Sequence, residues 1–260
     1  MPLAEAAGHP AARVLLDGAG AEIARFQEQT RDNRPVADLF TLAAGVSPQQ
    51  AVPVVISELR GWQVAADEPF GRLLLAAGGR AGRHAHVMSR DLGHDPAPPA
   101  WLEPAVPEGM RLTAVDRPAA ELAPSCLLAY PREHADFAHV PMPDPRELEL
   151  ELETIVSGRL VGPLLGCSSL VLGDDGAVLG AVLVNDMGGE PPTGGPWITQ
   201  LFRHPDAPGV GGALLRRALA LATRDGLAAV GLAVTHGNPA LARYEAHGFV
   251  EVLEALSVDV

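Results

Sequence analysis

Hydrophobic and polar residues along the C-terminal two-thirds of the chain fall into short blocks of alternating kind. Residues 110–115 alternate as in a half-buried strand, and 118–129 follow as a helical stretch. The segment 130–145 is rich in His and Pro and reads as a loop. Over 146–157 the spacing of Leu148, Leu152 and Ile155 puts them on one helical face. Two apolar runs, 168–172 and 177–184, flank Gly173-Asp174-Asp175-Gly176, a hairpin signal. A strand over 197–203 leads through a Pro-containing loop into a glycine-rich turn and a helix ending near Gly226. A buried strand (229–234), a short helix (239–247) and a closing strand (249–258) complete the series. Hairpin strands followed by strand, helix, strand, helix, strand predict an α+β fold on one mixed central sheet flanked by helices.

The pattern partly recurs. Sliding the chain so that Gly61 falls on Gly231 also sets Val64 on Val234, Pro69 on Pro239 and Gly78 on Gly248 without a gap. Each copy reads as a strand, then a helix opened by Pro and stopped by Gly, then a last strand, which is 83–89 in the first copy. Pro and Gly also punctuate helices for purely local reasons, so helix-boundary chemistry competes with shared ancestry as the source of the match. The segment 93–109 contains five prolines and little periodicity and is expected to be an extended linker. The expected organisation is a smaller degenerate unit over 1–92, the linker 93–109, and a larger unit over 110–260.

Composition narrows the function classes. All 19 basic residues are arginine, and 32 acidic residues bring the net charge to −13. Such a surface disfavours nucleic acid and anionic lipid. It leans toward cationic partners such as polyamines, aminoglycosides or basic peptide ends. The two cysteines, Cys126 and Cys167, have no metal-like spacing and predict neither a disulfide framework nor a metal site. With no signal-peptide pattern and no apolar run of membrane-spanning length, the expectation is a soluble, cytoplasmic protein.

The chemistry concentrates at Gly209-Val210-Gly211-Gly212-Ala213, between a strand and an amphipathic helix. Glycines there let a ligand approach the backbone, and amides at a helix N-terminus attract anions. A glycine-rich turn that merely starts a helix is the competing reading. A Walker A loop needs a lysine, which the chain lacks. A dinucleotide fingerprint needs a third glycine where Leu214 stands, and an acidic residue where the next strand ends in Val234-Thr235-His236.

The stretch Asp206-Ala207-Pro208-Gly209-Val210-Gly211, followed by Asn238, Leu241-Ala242, Tyr244-Glu245 and Gly248-Phe249, resembles the GNAT N-acetyltransferase family. That family carries Arg/Gln-x-x-Gly-x-Gly/Ala ahead of a helix. Further on it has an Asn, a Tyr near the end of a short helix, and a Gly-Phe step. The resemblance covers about 111–260 and extends faintly to 62–92. It implies a GNAT-like fold that uses acetyl-CoA as co-substrate and transfers an acetyl or short acyl group directly to a primary amine of a small molecule or peptide. A homodimer is a further expectation. It also implies that the backbone of Leu201, Phe202 and Arg203 pairs with the pantetheine arm, that Gly209, Val210, Gly211, Gly212 and Ala213 bind the pyrophosphate, that Asn238 contacts pantetheine, and that Tyr244 protonates the leaving sulfur. The alternative is a non-catalytic acyl-CoA-binding or regulatory module. A plain structural protein would bind no CoA at all.

Departures and weaker signals temper this picture. Asp206 stands where the family has Arg or Gln, and Pro208 removes an amide donor. Asn238 before Pro239 also suits a helix cap, and Tyr244 suits a half-buried aromatic. In the first copy Glu68 and Leu74 occupy the positions of Asn238 and Tyr244, which predicts a frame without chemistry. The family often places a carboxylate on the central strand, whereas 197–202 offers only Thr199 and Gln200. Asp186, Glu190 and His139 are the remaining candidate bases, acting through a water molecule, although each reads first as a solvated loop residue. Arg216 and Arg217 sit where phosphates are expected but also suit a solvated helix face. His84-x-His86 reads as ordinary strand polarity, and the loop 134–145 lines an acceptor site or simply covers the sheet.

Overall fold

The computed structural model describes residues 3–5, 12–31, 34–137 and 142–260. These divide into two compact units, Met1–His86 with Leu253–Val260, and Val87–Val252.

In the first unit β1 (Leu3–Glu5), β2 (Ala12–Leu16), β3 (Glu22–Arg31) and β4 (Arg34–Leu42) form an antiparallel series. Helix α1 (Pro48–Glu58) carries the chain to β5 (Gln63–Asp67), which pairs parallel with β4. Helix α2 (Glu68–Ala76) and β6 (Arg80–Asp91) follow. The far side of β5 is completed by the end of the chain, with Ala255–Asp259 running antiparallel to it. Phe26, Phe40 and Phe70 stack in a row at the centre, with centroids 6.1 and 5.4 Å apart, over buried Leu59, Val64, Leu74, Leu256 and Val258.

The second unit contains β7 (Met110–Thr113), α3 (Ala119–Ala129), α4 (Pro145–Val156), β8 (Ser169–Gly173), β9 (Val178–Asp186), β10 (Pro196–Arg203), α5 (Val210–Arg224), β11 (Ala229–Thr235), α6 (Leu241–Ala246) and the first residues of β12 (Val250–Asp259). Strands β7, β8, β9 and β10 are antiparallel neighbours, and β10 meets β11 in parallel. Side chains alternate across this sheet. Val171, Val182 and Val184 join Leu214, Leu215 and Leu219 of α5 on one face, while Leu170, Leu172 and Leu183 join Leu122, Leu148, Leu152 and Ile155 of α3 and α4 on the other. Helix α4 starts as its sequence dictates: Asp144 accepts the N–H groups of Arg146 and Glu147 at 2.8 Å while Glu147 reaches back to Asp144 N. The expected α+β sandwich with a mixed sheet is present. Among the described residues, no helix is long and apolar enough to cross a membrane.

The organisation differs from expectation in two respects. The proline-rich segment 93–109 is not an extended linker. Its Ala97 N–H donates to Thr223 Oγ1 (3.1 Å), Leu102 O accepts from Arg217 (2.8 Å), and Trp101 packs on the core under Arg90, 5.3 Å from its guanidinium carbon. The buried apolar residues of the segment, which prolines hid from a periodicity search, bind it to α5. The unit boundary falls inside two strands instead: β6 enters the second unit at Val87, and β12 leaves it after Val252. The repeat also reaches further back than the match over 62–92. Its order β4, α1, β5, α2, β6 matches β10, α5, β11, α6, β12, including the parallel pairing around the first helix.

In the first unit Asp259 collects Arg34 (3.0 Å), Arg80 (2.9 Å) and Gln63 (3.2 Å). Burial pulls its carboxyl up, but the hydrogen bonds from Arg34, Arg80 and Gln63 and the charge of Arg34 outweigh burial and hold it below the usual carboxylate value. A lowered carboxyl pKa contributes stability above the unfolded value and loses it as pH falls through the folded one. Asp259→Asn is expected to cost about 1–2 kcal/mol at pH 7. Urea unfolding at pH 7 and at about pH 3 should show the gap between the two proteins closing in acid.

Candidate functional site

The site begins where two strands part. Strands β10 and β11 register only at Trp197↔Gly231. The Trp197 indole lies over Gly231 so closely that a Cβ there would run into the ring. Beyond this point β10 carries a bulge between Ile198 and Gln200 in its pairing with β9. Asn185 holds the bulge from beneath. It is fully buried, accepts the Thr199 hydroxyl at 2.7 Å, and donates to Ile155 O (2.9 Å) and Gly162 O (2.8 Å). Past the bulge, His204 N–H donates to Leu179 O of the β9 side (2.7 Å). Strand alternation therefore turns the polar backbone of Phe202 toward β9 and that of Leu201 and Arg203 toward the open side.

At the end of β10 the chain enters the glycine loop. Gly209 adopts φ 85° at the N-cap of α5, a conformation that costs glycine little, and no side chain caps this helix. Val210 N–H bonds Ala207 O (3.4 Å) and Ala213 N–H bonds Gly209 O (3.3 Å). The N–H groups of Gly211 and Gly212 have no partner among the described residues. Space above Gly209 is open. The Asp206 side chain is 91% exposed, and its backbone N–H donates to His204 Nδ1 (3.1 Å), so the carboxylate faces solvent and does not fill the helix mouth. Arg203 braces the loop through His204 O and Pro205 O at 3.1 and 3.0 Å. The two helix arginines separate: Arg217 is spent on Leu102 O, while Arg216, beside Gly212, has no acidic partner among the described residues.

The matching helix of the first unit is built oppositely. Ser47 accepts Gln50 N–H (3.3 Å) while the Gln50 side chain takes Ser47 N–H (3.1 Å), and Pro48 removes another donor. Its mouth is closed by its own side chains. Leu74, at the Tyr244 position, is fully buried.

Tyr244 is 9% exposed, packs edge-on against Phe249 (5.8 Å), and its hydroxyl has no hydrogen-bond partner among the described residues. Burial, reinforced by the negative charge of Asp136 and opposed by Arg243, pushes its pKa up to about 12. Asn238 makes a local turn, with Oδ1 accepting Ala240 N–H at 2.9 Å, and α6 begins at Leu241, two residues after the expected Pro239. Its side-chain NH2 is left without a partner among the described residues.

A polar group that sequence left unnamed stands on the α3–α4 connection. The Tyr130 hydroxyl lies 2.9 Å from Gln200 Oε1 and 3.0 Å from Leu201 O, and its ring meets His134 edge-on at 4.9 Å. His134 Nδ1 in turn is 3.4 Å from Asp136 Oδ2. Burial, with the charges of Cys126, Tyr244, Asp136 and Glu151 adding to it, holds the Tyr130 phenol well above its ordinary value. Of the candidate bases, Asp186 and Glu190 are exposed, and Asp186 Oδ1 accepts Gly188 N–H (3.0 Å). His139 lies outside the described residues.

Similarity to solved structures is broad in coverage and low in identity. A GCN5-related N-acetyltransferase from Sphaerobacter thermophilus shares 18% identity at a TM-score of 0.62, over 95% of this chain and 79% of its own. A tandem GNAT protein from the clavulanic acid biosynthesis pathway shares 17% at 0.60, over 96% and 83%. An acetyltransferase of the GNAT family from Colwellia psychrerythraea shares 10% at 0.57, over 95% and 84%. No protein-family model matches the sequence, and no curated protein matches it either. The fold of the chain is that of the GNAT N-acetyltransferases.

Asn185→Leu removes the bonds to Thr199 Oγ1, Ile155 O and Gly162 O, leaves Thr199 only its bond to Leu183 O, and releases the bulge. The expected loss is about 2–4 kcal/mol of stability, measured by chemical unfolding followed through tryptophan fluorescence.

Proposed function

We propose that the chain is an N-acyltransferase that moves an acetyl or other short acyl group from its CoA thioester to a primary amine. The observation that carries this reading is the uncapped mouth of α5, with the amides of Gly211 and Gly212 unpartnered among the described residues, beside the end of β10 where its pairing with β11 has stopped. Unpaired amides at the positive end of a helix suit a pyrophosphate, and Arg216 adds a cation at the same turn. Gly209 leaves room for close approach, while Val210 and Ala213 shape the turn. Leu201 and Arg203 would pair with the pantetheine arm as an added strand, with Phe202 holding β10 to β9. The NH2 of Asn238 would bond the same arm.

The reaction asks little more of the protein than position and one proton. The acceptor must lose a proton to become a neutral amine. Its nitrogen attacks the thioester carbonyl carbon, a C–N bond forms, the C–S bond breaks, and sulfur departs as thiolate. Tyr244 gives its proton to that sulfur, and the surplus N–H proton of the new amide returns to the phenolate. A phenol raised to about 12 by burial stays protonated at neutral pH and so holds a proton to give.

Calorimetry with acetyl-CoA, paired with a free-thiol assay over a panel of amines, tests the reading. Absence of acetyl-CoA binding would end it, and tight binding without thiol release would leave a non-catalytic acyl-CoA-binding module. Tyr244→Phe should lower kcat by about 100-fold or more while acetyl-CoA affinity changes by less than about threefold. Because the raised phenol is the proton donor, activity that depends on it is lost only as pH rises through the folded pKa. No alkaline decline traceable to Tyr244 is expected below about pH 11, and the wild-type and Tyr244→Phe pH–rate profiles should run parallel up to that point.

A further inference from the structure

The Leu201 carbonyl, which the parting of β10 from β11 leaves without a ladder partner, has a donor from outside the sheet. Strand alternation turns it toward the open side, and Tyr130 Oη stands 3.0 Å from it. That phenol is carried on a fixed support. Tyr130 is the C-cap of α3, where the backbone turns extended (φ −117°, ψ 91°) and leaves the helix. Upstream, the Ser125 hydroxyl donates to Val178 O of β9, and Leu122, Ala123 and Cys126 pack into the core against the sheet. The tyrosine ring meets His134 edge-on, and Gln200 Oε1, one residue before Leu201 on β10, lies 2.9 Å from the same hydroxyl. Burial keeps the phenol well above its ordinary pKa, so at neutral pH it retains the hydrogen that the two oxygens share. A carbonyl oxygen has two lone pairs, so one donor fixes its direction and leaves a second position for a ligand N–H.

We propose that Tyr130 is a positioning residue of the acyl-transfer site, its hydroxyl setting the Leu201 carbonyl to receive an N–H of the pantetheine arm. The identity of the ligand rests on the acyl-transfer reading; the bond between Tyr130 and Leu201 does not. A strand edge that has lost its neighbour is free to tilt its peptide planes. A ligand that adds as a strand binds best where donors and acceptors are already aligned. The bulge clamped by Asn185 aligns β10 from the β9 side, and Tyr130 aligns the next acceptor from the α3 side. Its effect falls on holding the arm and not on the chemical step, which separates it from Tyr244, the proton donor to sulfur.

Calorimetry on the full chain compares acetyl-CoA with 3′-phospho-ADP, the nucleotide half that lacks the pantetheine arm. Tyr130→Phe should weaken acetyl-CoA binding by about fivefold or more, the contribution of a single hydrogen bond, and leave 3′-phospho-ADP within about twofold. In the thiol assay KM for acetyl-CoA should rise while kcat stays within about threefold of wild type. The contact itself is read by NMR without ligand. Labelling leucine with 13C at the carbonyl and phenylalanine with 15N marks two peptides, Leu39-Phe40 and Leu201-Phe202, and only the second should shift in Tyr130→Phe. An unmoved Leu201 signal overturns the assignment, as does acetyl-CoA affinity that stays the same or tightens. Parallel loss of 3′-phospho-ADP also overturns it, since that marks a general loosening of the unit. A wild type that does not bind acetyl-CoA refutes the acyl-transfer reading itself, before any variant is compared, and takes the assignment with it.

Discussion

A parallel strand pair that stops after one register point leaves the facing edge of the first strand without its ladder partner, and buried backbone groups do not normally go unpaired. In the second unit this is the condition on which the site depends. Trp197 over Gly231 fixes where the pairing ends, and the bulge at Thr199, clamped by Asn185, prevents β10 from closing back onto β11. Two buried carbonyls and a hydroxyl hold a single amide side chain in place, so the opening is built into the hydrogen-bonding of the interior rather than left to a loop.

The two units show how little separates a ligand-ready frame from an inert one. Both have a parallel pair wrapped around a helix, then a shorter helix and a last strand. In the first unit Ser47 and Gln50 satisfy the helix mouth internally, Pro48 removes a donor, and Leu74 fills the place of the phenol. In the second unit a glycine in the left-handed conformation starts the helix, and no side chain of the described residues caps it. The contrast is one of capping chemistry, not of topology.

Much of this was legible in the sequence because the relevant signals are local. The face of α4, the Gly173–Gly176 turn and the glycine loop each follow from a few neighbouring residues. Three things were not. Trp101 and Leu102 pack onto the second core, but prolines on either side masked them as a linker. The repeat looked shorter than it is because β4 and α1 lack the glycine motif that would have aligned them with β10 and α5. Tyr130 gave no signal, since its bonds to Gln200 and Leu201 O are made by the fold, and no spacing rule encodes them. Asp206, which by charge alone argued against a phosphate site, is turned outward by the bond between its own backbone and His204.

The crossing of β12 has a bearing on how the molecule is made. Residues Leu253–Val260 complete the first unit, so β5 lacks a neighbour on one side until the chain has been synthesised beyond the whole of the second unit. On the ribosome the earlier-made half must wait, with an exposed strand margin, for the later-made half to deliver its last segment. The first unit thus closes only after the second has been made.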